Sequence, residues 1–219
     1  MNIAMLLFPD LTQLDFTGPF EVLRRIPGAT VKLVAKTREP VVAEGGLAIV
    51  PTATFDDCGT VDLLFVPGGW GQVDAGEDAA TLAWLRAAGA TAQWVTSVCT
   101  GSLLLGAAGL LDGYRATTHW AFVDLLPQVG AIPDKGRVVR DRNRITAGGV
   151  TAGIDFGFHL VAEIAGERAA QAIQLGLEYD PAPPFRCGHP DVAPAELVTE
   201  TRQRMQARFD ERRRRLPKR

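Results

Sequence analysis

Three short apolar runs constrain the fold of this chain more than any other feature. They are Asn2–Phe8, Leu63–Val66 and Trp94-Val95, the last within a strand predicted at Gln93–Ser97, and the first two end at Pro9-Asp10 and Pro67-Gly68-Gly69. Near-continuous apolar runs closed by turn residues are typical of strands that are buried on both faces of a sheet. The stretches between them predict helices. This alternation predicts an α/β protein with a mostly parallel central sheet and helices on both faces.

The remaining segments continue this pattern. A helix is predicted to open at Thr17-Gly18-Pro19, with Thr17 or Gly18 as the N-cap, and to end at Pro27-Gly28. Pro181-Ala182-Pro183-Pro184 marks the edge of the body, so we predict one domain over 1–195 and a basic helical tail over 196–219. The other predicted elements are strands at 31–34 and 115–117, hairpins over 41–50 and 137–146, and helices at 78–88, 101–108, 120–126, 152–165 and 167–177.

Composition and charge exclude several classes of protein. No apolar run approaches the roughly 18 residues of a membrane span, and no basic region precedes the first apolar run, so we expect neither a span nor a signal peptide and predict a cytoplasmic protein. Residues 202–219 hold nine of the 23 Lys and Arg residues but two of the 25 Asp and Glu residues. Because the rest is acidic, no nucleic-acid partner is expected, and Arg212-Arg213-Arg214-Arg215 is interpreted as the frayed, solvated end of a last helix.

The cysteines single out one candidate nucleophile. Cys58, Cys99 and Cys187 lie at wide spacings, which indicates neither a disulfide scaffold nor a structural metal site. Cys99 stands between a predicted strand and a small-residue helix, where unpaired N–H groups and the helix dipole favour the thiolate over the thiol. We therefore predict Cys99 as a nucleophile rather than a buried structural cysteine, and the other two as structural.

Asp15 is the candidate proton partner of this cysteine. It is predicted in the loop after the first strand, although a turn or capping role is the ordinary alternative. If the first strand neighbours the cysteine strand, the carboxyl and the thiol come close and cannot both ionise cheaply. They would then share one proton and titrate as a unit.

Two glycines and a histidine complete the candidate site. Gly68 and Gly69 follow a buried strand, and their N–H groups can face a developing negative charge, with the Thr100 amide as a further donor; a simple tight turn is the alternative. His119 ends the predicted strand after the cysteine helix and is the histidine expected at the same sheet edge. A Cys–His pair suits acyl transfer, but nothing in the sequence sets the distance between the two side chains.

Together these motifs resemble the ThiJ/PfpI superfamily, whose flavodoxin-like three-layer sandwich is related to class I glutamine amidotransferases. The resemblance covers about residues 1–195, and within that superfamily the chain resembles the branch that hydrates isonitriles. The motifs that carry it are Leu14-Asp15-Phe16-Thr17-Gly18-Pro19, Thr96-Ser97-Val98-Cys99-Thr100-Gly101-Ser102, Ala116-Thr117-Thr118-His119-Trp120, Ile154-Asp155-Phe156 and Leu177-Glu178-Tyr179-Asp180-Pro181-Ala182-Pro183-Pro184-Phe185.

This resemblance implies hydration of a small isonitrile, R–N≡C, to the N-substituted formamide by a homodimer, with no metal or organic cofactor. It implies that Cys99 attacks the isonitrile carbon as Asp15 donates a proton to it. Thr100 would orient water or Asp15 through its hydroxyl, and N–H groups around Gly69 would stabilise charge on the adduct. For the wall of the substrate pocket, we expect Phe16, Trp70 and Trp120.

The departures from the superfamily pattern narrow the function further. Members interpreted as peptidases carry a His immediately after the nucleophile, where this chain has Thr100, so peptidase activity is not expected. AraC-type regulators attach a similar domain to a helix-turn-helix module, and the residues beyond Pro194 are expected to be too few for one. Two alternatives stay open: a glyoxalase or deglycase acting on small aldehydes, and a non-catalytic sensor of small molecules or oxidation in which Cys99 is oxidised beside Asp15.

Overall fold

A seven-stranded, mostly parallel sheet forms the centre of the computed structural model, which describes residues 1–218. The strands, in chain order, are β1 (Asn2–Leu6), β2 (Thr30–Ala35), β3 (Val41–Val42), β4 (Ala48–Ile49), β5 (Ala53–Thr54), β6 (Leu63–Val66), β7 (Trp94–Val98), β8 (Arg115–Ala116), β9 (Ile132–Pro133), β10 (Val138–Asp141) and β11 (Arg144–Ala147). The helices are α1 (Gln13–Leu23), α2 (Gln72–Ala75), α3 (Ala79–Thr91), α4 (Gly101–Ala107), α5 (Ala152–Ala165), α6 (Glu167–Gly176) and α7 (Ala195–Arg215), with 3-10 helices at Glu44–Gly46 and Trp120–Val129.

The three apolar runs form neighbouring strands at the middle of the sheet. The strand order is β10-β11-β7-β6-β1-β2-β5, and β10 alone among these runs antiparallel to its neighbour. Every residue of β6 and β7 is buried, and because successive side chains point to opposite faces, both faces of the sheet are covered. The predicted α/β class with a mostly parallel sheet is therefore confirmed. Because β1, β6 and β7 are parallel, the segments that follow them leave at the same edge.

Most of the other predicted elements are present. The two predicted hairpins are β3–β4, around the Glu44–Gly46 turn, and β10–β11. Helices α3, α4, α5 and α6 begin and end within about three residues of their predicted bounds. The segment predicted as an α-helix at 120–126 is the 3-10 helix Trp120–Val129, and the four-residue α2 was not predicted.

Helix α1 begins earlier than the sequence predicts. Its first residue is Gln13 and its cap residue is Thr12, so the start predicted at Thr17-Gly18 is wrong. Pro19 lies inside the helix, where its missing N–H removes one helical hydrogen bond. The small residue before it serves packing: a Cβ atom on Gly18 would lie 3.1 Å from Cγ1 of Ile154 in α5. The Thr-Gly-Pro run therefore marks a close helix–helix contact rather than a helix start.

The basic tail packs against the body. Phe209 stacks on Phe122, Arg212 is 3% exposed and Leu216 is buried, so the prediction of a frayed, solvated end is wrong for this part of α7. These three residues follow one another at spacings of three and four, which places them on one face of a helix. Arg215 adds ion pairs to carboxylates at the end of α2 and just after it. The buried face was not predicted from the sequence, because it lies within a run of arginines and the side chains of Arg213 and Arg214 are exposed to solvent.

Two further findings concern residues 1–218. None of their helices combines the length and the apolar composition that crossing a bilayer requires. Over the same range, no three or more His, Cys, Asp or Glu side chains come together in a way that could hold a metal ion.

Candidate active site

Cys99 lies at the turn between β7 and α4, at the sheet edge where the central strands end. Its φ of 55° is in the left-handed region, which a non-glycine residue adopts at a cost of about 1–3 kcal/mol. Its N–H donates to the carbonyls of Ala147 and Gly148, both at 3.0 Å, and its carbonyl accepts from Thr118 Oγ1 at 2.9 Å. These bonds hold the cysteine in the strained backbone of a strand–turn–helix elbow.

Asp15 comes to the same place from the first turn of α1. The predicted loop position is wrong, because α1 begins at residue 13. The carboxyl is fully buried, and its Oδ2 accepts a hydrogen bond from the Gly68 N–H at 3.1 Å. Its Oδ1 forms no hydrogen bond of ordinary geometry with residues 1–218. The Cys99 thiol lies within hydrogen-bonding reach of the carboxyl, so the structure brings the predicted acid and the predicted nucleophile together.

Gly68 allows this close approach. A Cβ atom at this position would lie 2.8 Å from Asp15 Oδ2, 2.8 Å from Cys99 Cβ and 2.6 Å from the Thr100 nitrogen. These separations are shorter than van der Waals contact, and two of the three neighbours are backbone or Cβ atoms that cannot swing away. Glycine is therefore required between the acid and the nucleophile, which is a packing role that the sequence alone did not indicate.

Both ionisable groups of the pair hold their protons more strongly than usual. Burial raises the pKa of Asp15 to about 7, and the charge of Glu44 adds to the rise, although hydrogen bonds from Cys99 and Gly68 oppose it. Burial and then the charge of Asp15 raise the pKa of Cys99 well above its ordinary value, against the N–H groups of Thr100 and Val150. The Thr100 N–H at the helix start favours the thiolate, as expected, but burial and the charge of Asp15 outweigh it. The pair keeps at least one proton at neutral pH.

The amides of Gly68 and Gly69 are already engaged within the protein. Gly68 N–H donates to Asp15, and Gly69 N–H donates to Thr100 Oγ1 at 3.1 Å, while the Thr100 hydroxyl contacts the Gly69 carbonyl at 3.3 Å. They therefore hold the acid and the elbow, in place of the predicted role as free donors to a developing charge. The amides that do face the sulfur belong to Thr100 and to Val150, in the loop before α5. The sequence analysis missed Val150, because that loop follows the distant hairpin strand β11.

His119 lies near the elbow without pairing with the sulfur. Its Nδ1 accepts a hydrogen bond from the Ala121 N–H at 3.2 Å, so the neutral ring carries its proton on Nε2. Burial, and then the positive charge of Arg212, lower the pKa of His119 to about 4. The ring packs against Gly149, where a Cβ atom would lie 2.3 Å from the imidazole Cδ2. A neutral histidine in this place can donate a hydrogen bond but is not a general base at neutral pH.

A cavity of about 560 Å³ opens beside the elbow. Part of its wall comes from residues next to the sulfur, and part comes from the C-terminal segment; six of the lining residues are Thr118, His119, Trp120, Val150, His189 and Arg202. Of the three aromatic residues expected in the wall, Trp120 lines this cavity, Phe16 is buried beside Phe20, and Trp70 lies against Arg212. Neither Cys99 nor Asp15 lines the cavity, but Thr118 and Val150, which contact Cys99, lie in its wall.

Arg212 is the second residue that sequence reasoning missed. It comes from α7, and its Nη2 donates to the Gly69 carbonyl at 2.9 Å, while its Nε donates to Gln72 Oε1 at 3.2 Å. Its guanidinium lies between the rings of Trp70 and Phe122. The heptad-like spacing of buried positions along α7 was the signal that could have found it. The site thus contains a buried cation as well as a buried acid and thiol.

The chain is similar to proteins of known family and structure. The DJ-1/PfpI family model matches residues 1–163. The sequence is 55% identical over 204 residues to an isonitrile hydratase of Pseudomonas putida, and this match covers 93% of this chain and 90% of that protein. It is 31% identical over 189 residues to the HTH-type transcriptional regulator GbdR of Pseudomonas aeruginosa, and that match covers 82% of this chain but 51% of the regulator. The fold matches a crystal structure of a ThiJ/PfpI family protein from Pseudomonas syringae with a TM-score of 0.95 and 48% identity, covering 97% of this chain and 88% of that chain.

Proposed function

The chain belongs to the DJ-1/PfpI family, and from that premise we propose that it hydrates isonitriles, R–N≡C, to N-substituted formamides. The identity to an isonitrile hydratase over most of both chains supports this reaction. The observation that carries the proposal is the buried contact between Asp15 and Cys99, two groups whose pKa values are both raised and which lie on either side of Gly68. Isonitrile hydration needs both groups at once, because the same carbon accepts the nucleophile and the proton.

Above about pH 7 the pair holds one proton, which lies on the Cys99 thiol while Asp15 is a carboxylate, and the proposed reaction begins when this proton passes from Cys99 to Asp15. The Cys99 thiolate adds its electron pair to the isonitrile carbon while the Asp15 carboxylic acid gives its proton to that carbon. One C–S bond and one C–H bond form, and the carbon–nitrogen triple bond becomes a double bond. The product is a covalent thioimidate, Cys99–S–CH=N–R, next to the Asp15 carboxylate.

The second half adds water. The Asp15 carboxylate takes a proton from water as the water oxygen bonds to the thioimidate carbon, and that proton passes to the nitrogen. Collapse of the resulting Cys99–S–CH(OH)–NH–R forms the carbonyl bond, breaks the C–S bond and returns the hydroxyl proton to Asp15. The formamide leaves and the pair again holds one proton. The steps balance in atoms and charge without a redox or metal cofactor.

Neighbouring groups support each charged stage in this proposal. The N–H groups of Thr100 and Val150 stabilise the thiolate, and the Gly68 N–H stabilises the carboxylate that remains after the first proton transfer. The Thr100 hydroxyl, bonded to Gly69, positions the elbow instead of orienting the water. His119 stands in the cavity wall, where we propose that its neutral ring contacts the R group of the substrate.

The two alternatives are not favoured. A glyoxalase or deglycase and a non-catalytic sensor also suit a cysteine beside a carboxyl, but the identity to the isonitrile hydratase extends over most of both chains. We keep them as outcomes of the test, because a methylglyoxal assay detects the first and rapid oxidation of Cys99 by peroxide, without turnover, detects the second.

The test is a product assay on the full-length protein with cyclohexyl isocyanide. We expect N-cyclohexylformamide to accumulate with time and Cys99→Ala to form none. Cys187→Ala should behave like the unmodified protein, because Cys187 is partly exposed and is not among the residues that line the cavity. Formamide production by Cys99→Ala at the full rate would overturn the mechanism. Absence of formamide from the unmodified protein, together with loss of methylglyoxal, would overturn the reaction class.

Assembly and location are predictions at this stage. We propose a homodimer in the cytoplasm, acting on a small isonitrile without a nucleic-acid partner. Light scattering on the purified protein measures the first, and a fractionation of the producing cells measures the second. A monomer by light scattering would contradict the proposed assembly without touching the proposed chemistry.

A further inference from the structure

The C-terminal helix delivers one buried cation to the active site. Arg212 is 3% exposed although it lies in a run of four arginines, of which Arg213 and Arg214 are exposed. Two hydrogen bonds anchor its guanidinium, one to Gln72 and one to the Gly69 carbonyl. The guanidinium carbon lies 4.9 Å from the Trp70 ring centre and 4.5 Å from the Phe122 ring centre. The buried guanidinium is thus held by two hydrogen bonds and by two aromatic rings.

The anchor connects Arg212 to the residue that follows the nucleophile. The Gly69 carbonyl that accepts from Arg212 at 2.9 Å also contacts the Thr100 hydroxyl at 3.3 Å, and the Gly69 N–H returns a bond to that hydroxyl at 3.1 Å. Gly69 has a φ of 133°, a conformation that glycine adopts freely and that L side chains rarely adopt. Arg212 therefore stabilises the Gly69 loop, and this loop in turn contacts Thr100 at the elbow.

One nitrogen of the Arg212 guanidinium is left without a hydrogen bond. This atom, Nη1, is buried and has no hydrogen-bond partner within residues 1–218. A buried charge is costly unless an opposite charge stands near it. The charged and titratable groups within electrostatic reach are Cys99, Glu44 and Glu211, which favour the cation, and Arg208, which opposes it. The same charge lowers the pKa of His119.

Cys99 is the member of this set that the proposed reaction ionises. Arg212 binds the carbonyl of Gly69, and the adjacent Gly68 abuts Cys99, so the guanidinium and the sulfur are close in space. A cation in this place favours the thiolate over the thiol. Asp15 acts on the sulfur in the opposite sense, because its carboxylate opposes a second negative charge. The sulfur thus lies between an acid that competes for the negative charge and a cation that can balance it.

We propose that Arg212 is a positioning residue of the active site, which fixes the Gly69–Thr100 contact through the Gly69 carbonyl and balances the charge of the Cys99 sulfur when the thiol ionises. The inference rests on the proposed role of Cys99 as the nucleophile. It makes α7 part of the catalytic machinery rather than a basic tail. A purely structural tether would need the hydrogen bond to Gly69 and the packing between two rings, but not the positive charge.

The test separates charge from tether with matched variants of the full-length protein. Arg212→Gln keeps a hydrogen-bond donor and removes the charge, Arg212→Lys keeps the charge and changes the shape, and Arg214→Gln is the control on the exposed side of α7. The measurement is the pH dependence of Cys99 alkylation by iodoacetamide, with the adduct assigned by peptide mass. Circular dichroism and thermal melting show that each variant is folded.

We expect Arg212→Gln to move the midpoint of alkylation to higher pH, and alkylation at neutral pH to become about tenfold slower for every pH unit by which the midpoint rises. Arg212→Lys should restore most of the rate, and Arg214→Gln should match the unmodified protein. A folded Arg212→Gln with an unchanged alkylation profile would overturn the charge-balancing role. If Arg212→Gln does not fold, Arg212→Met replaces it, because it removes the charge and keeps an unbranched side chain between the two rings, and an unchanged profile in folded Arg212→Met overturns the role instead. Alkylation does not involve an isonitrile, so failure of the proposed hydration would be seen separately in the formamide assay.

Discussion

The Gly68 N–H donates a 3.1 Å hydrogen bond to the Asp15 carboxyl across a gap that has no room for a β-carbon. This contact sets the distance between the acid on α1 and the cysteine at the elbow, since Gly68 also abuts Cys99 and Thr100. The chemistry of the site depends on this packing as much as on the two ionisable groups, because the pair shares a proton only when its members are in contact.

Gly68→Ala tests that packing. We expect kcat/KM for an isonitrile to fall by about 100-fold, because the added methyl separates the acid from the nucleophile. Overpacking should also cost about 2 kcal/mol of unfolding free energy, measured in urea. The control is Gly176→Ala in α6, where no atom lies within 4 Å of the new Cβ. Equal activity in the two variants would show that the close approach at Gly68 is not needed.

The pH dependence of kcat/KM reports the protonation of the pair. The reactive form holds one proton. Because burial raises the pKa of Asp15 to about 7, the carboxyl is protonated below this value and cannot take up the proton of the Cys99 thiol. We expect kcat/KM for an uncharged isonitrile to rise with pH to a plateau above about pH 7, and to fall again only at much higher pH when the second proton leaves. A profile that is flat between pH 5 and pH 9 would contradict the shared proton.

Asp15→Asn should make the protein more stable at high pH. The pKa of the Asp15 carboxyl is 3.8 in the unfolded chain and about 7 in the folded protein. Between these pH values folding takes up a proton, so the free energy of unfolding falls as pH rises. The asparagine variant lacks this loss, and its stability relative to the unmodified protein should therefore rise by about 3 kcal/mol from pH 5 to pH 8.

Urea unfolding at the two pH values measures this difference, and Asp56→Asn, at an exposed carboxyl, is the control. If the two proteins differ in free energy of unfolding by the same amount at both pH values, the pKa of Asp15 is not raised by folding.

Thr100→Val tests the role of the hydroxyl beside the nucleophile. The change leaves the Gly69 N–H without its acceptor, which should cost about 1–3 kcal/mol in a buried place. Because the same bond holds the loop that Arg212 contacts, kcat/KM should fall as well. Thr199→Val, at an exposed position of α7, is the control for loss of a hydroxyl. An active variant of unchanged stability would show that the Gly69–Thr100 contact is incidental.

The order of strands and helices was predictable because it depends on local patterns. The runs Ile3–Phe8 and Leu63–Val66 are apolar without interruption, and this composition is typical of strands that are buried on both faces. Where local signals pointed two ways, the prediction was wrong. Pro19 is favoured near a helix start, yet here it lies within α1, since packing of Gly18 against Ile154 outweighs one missing hydrogen bond.

The sequence by itself determined that Cys99 stands at a strand-to-helix turn and that Asp15 follows the first strand, and both were predicted at one sheet edge because the ends of parallel strands meet there. The structure places β6 between β1 and β7, so the two strands are not direct neighbours. Only the tertiary structure decided how these groups hold their protons, since desolvation depends on everything packed around them. It also decided the place of Arg212, which binds the carbonyl of a residue 143 positions earlier in the chain. A solvated arginine and a buried one are the same letter in a sequence, and what differs is the hydrophobic face that carries the residue into the core.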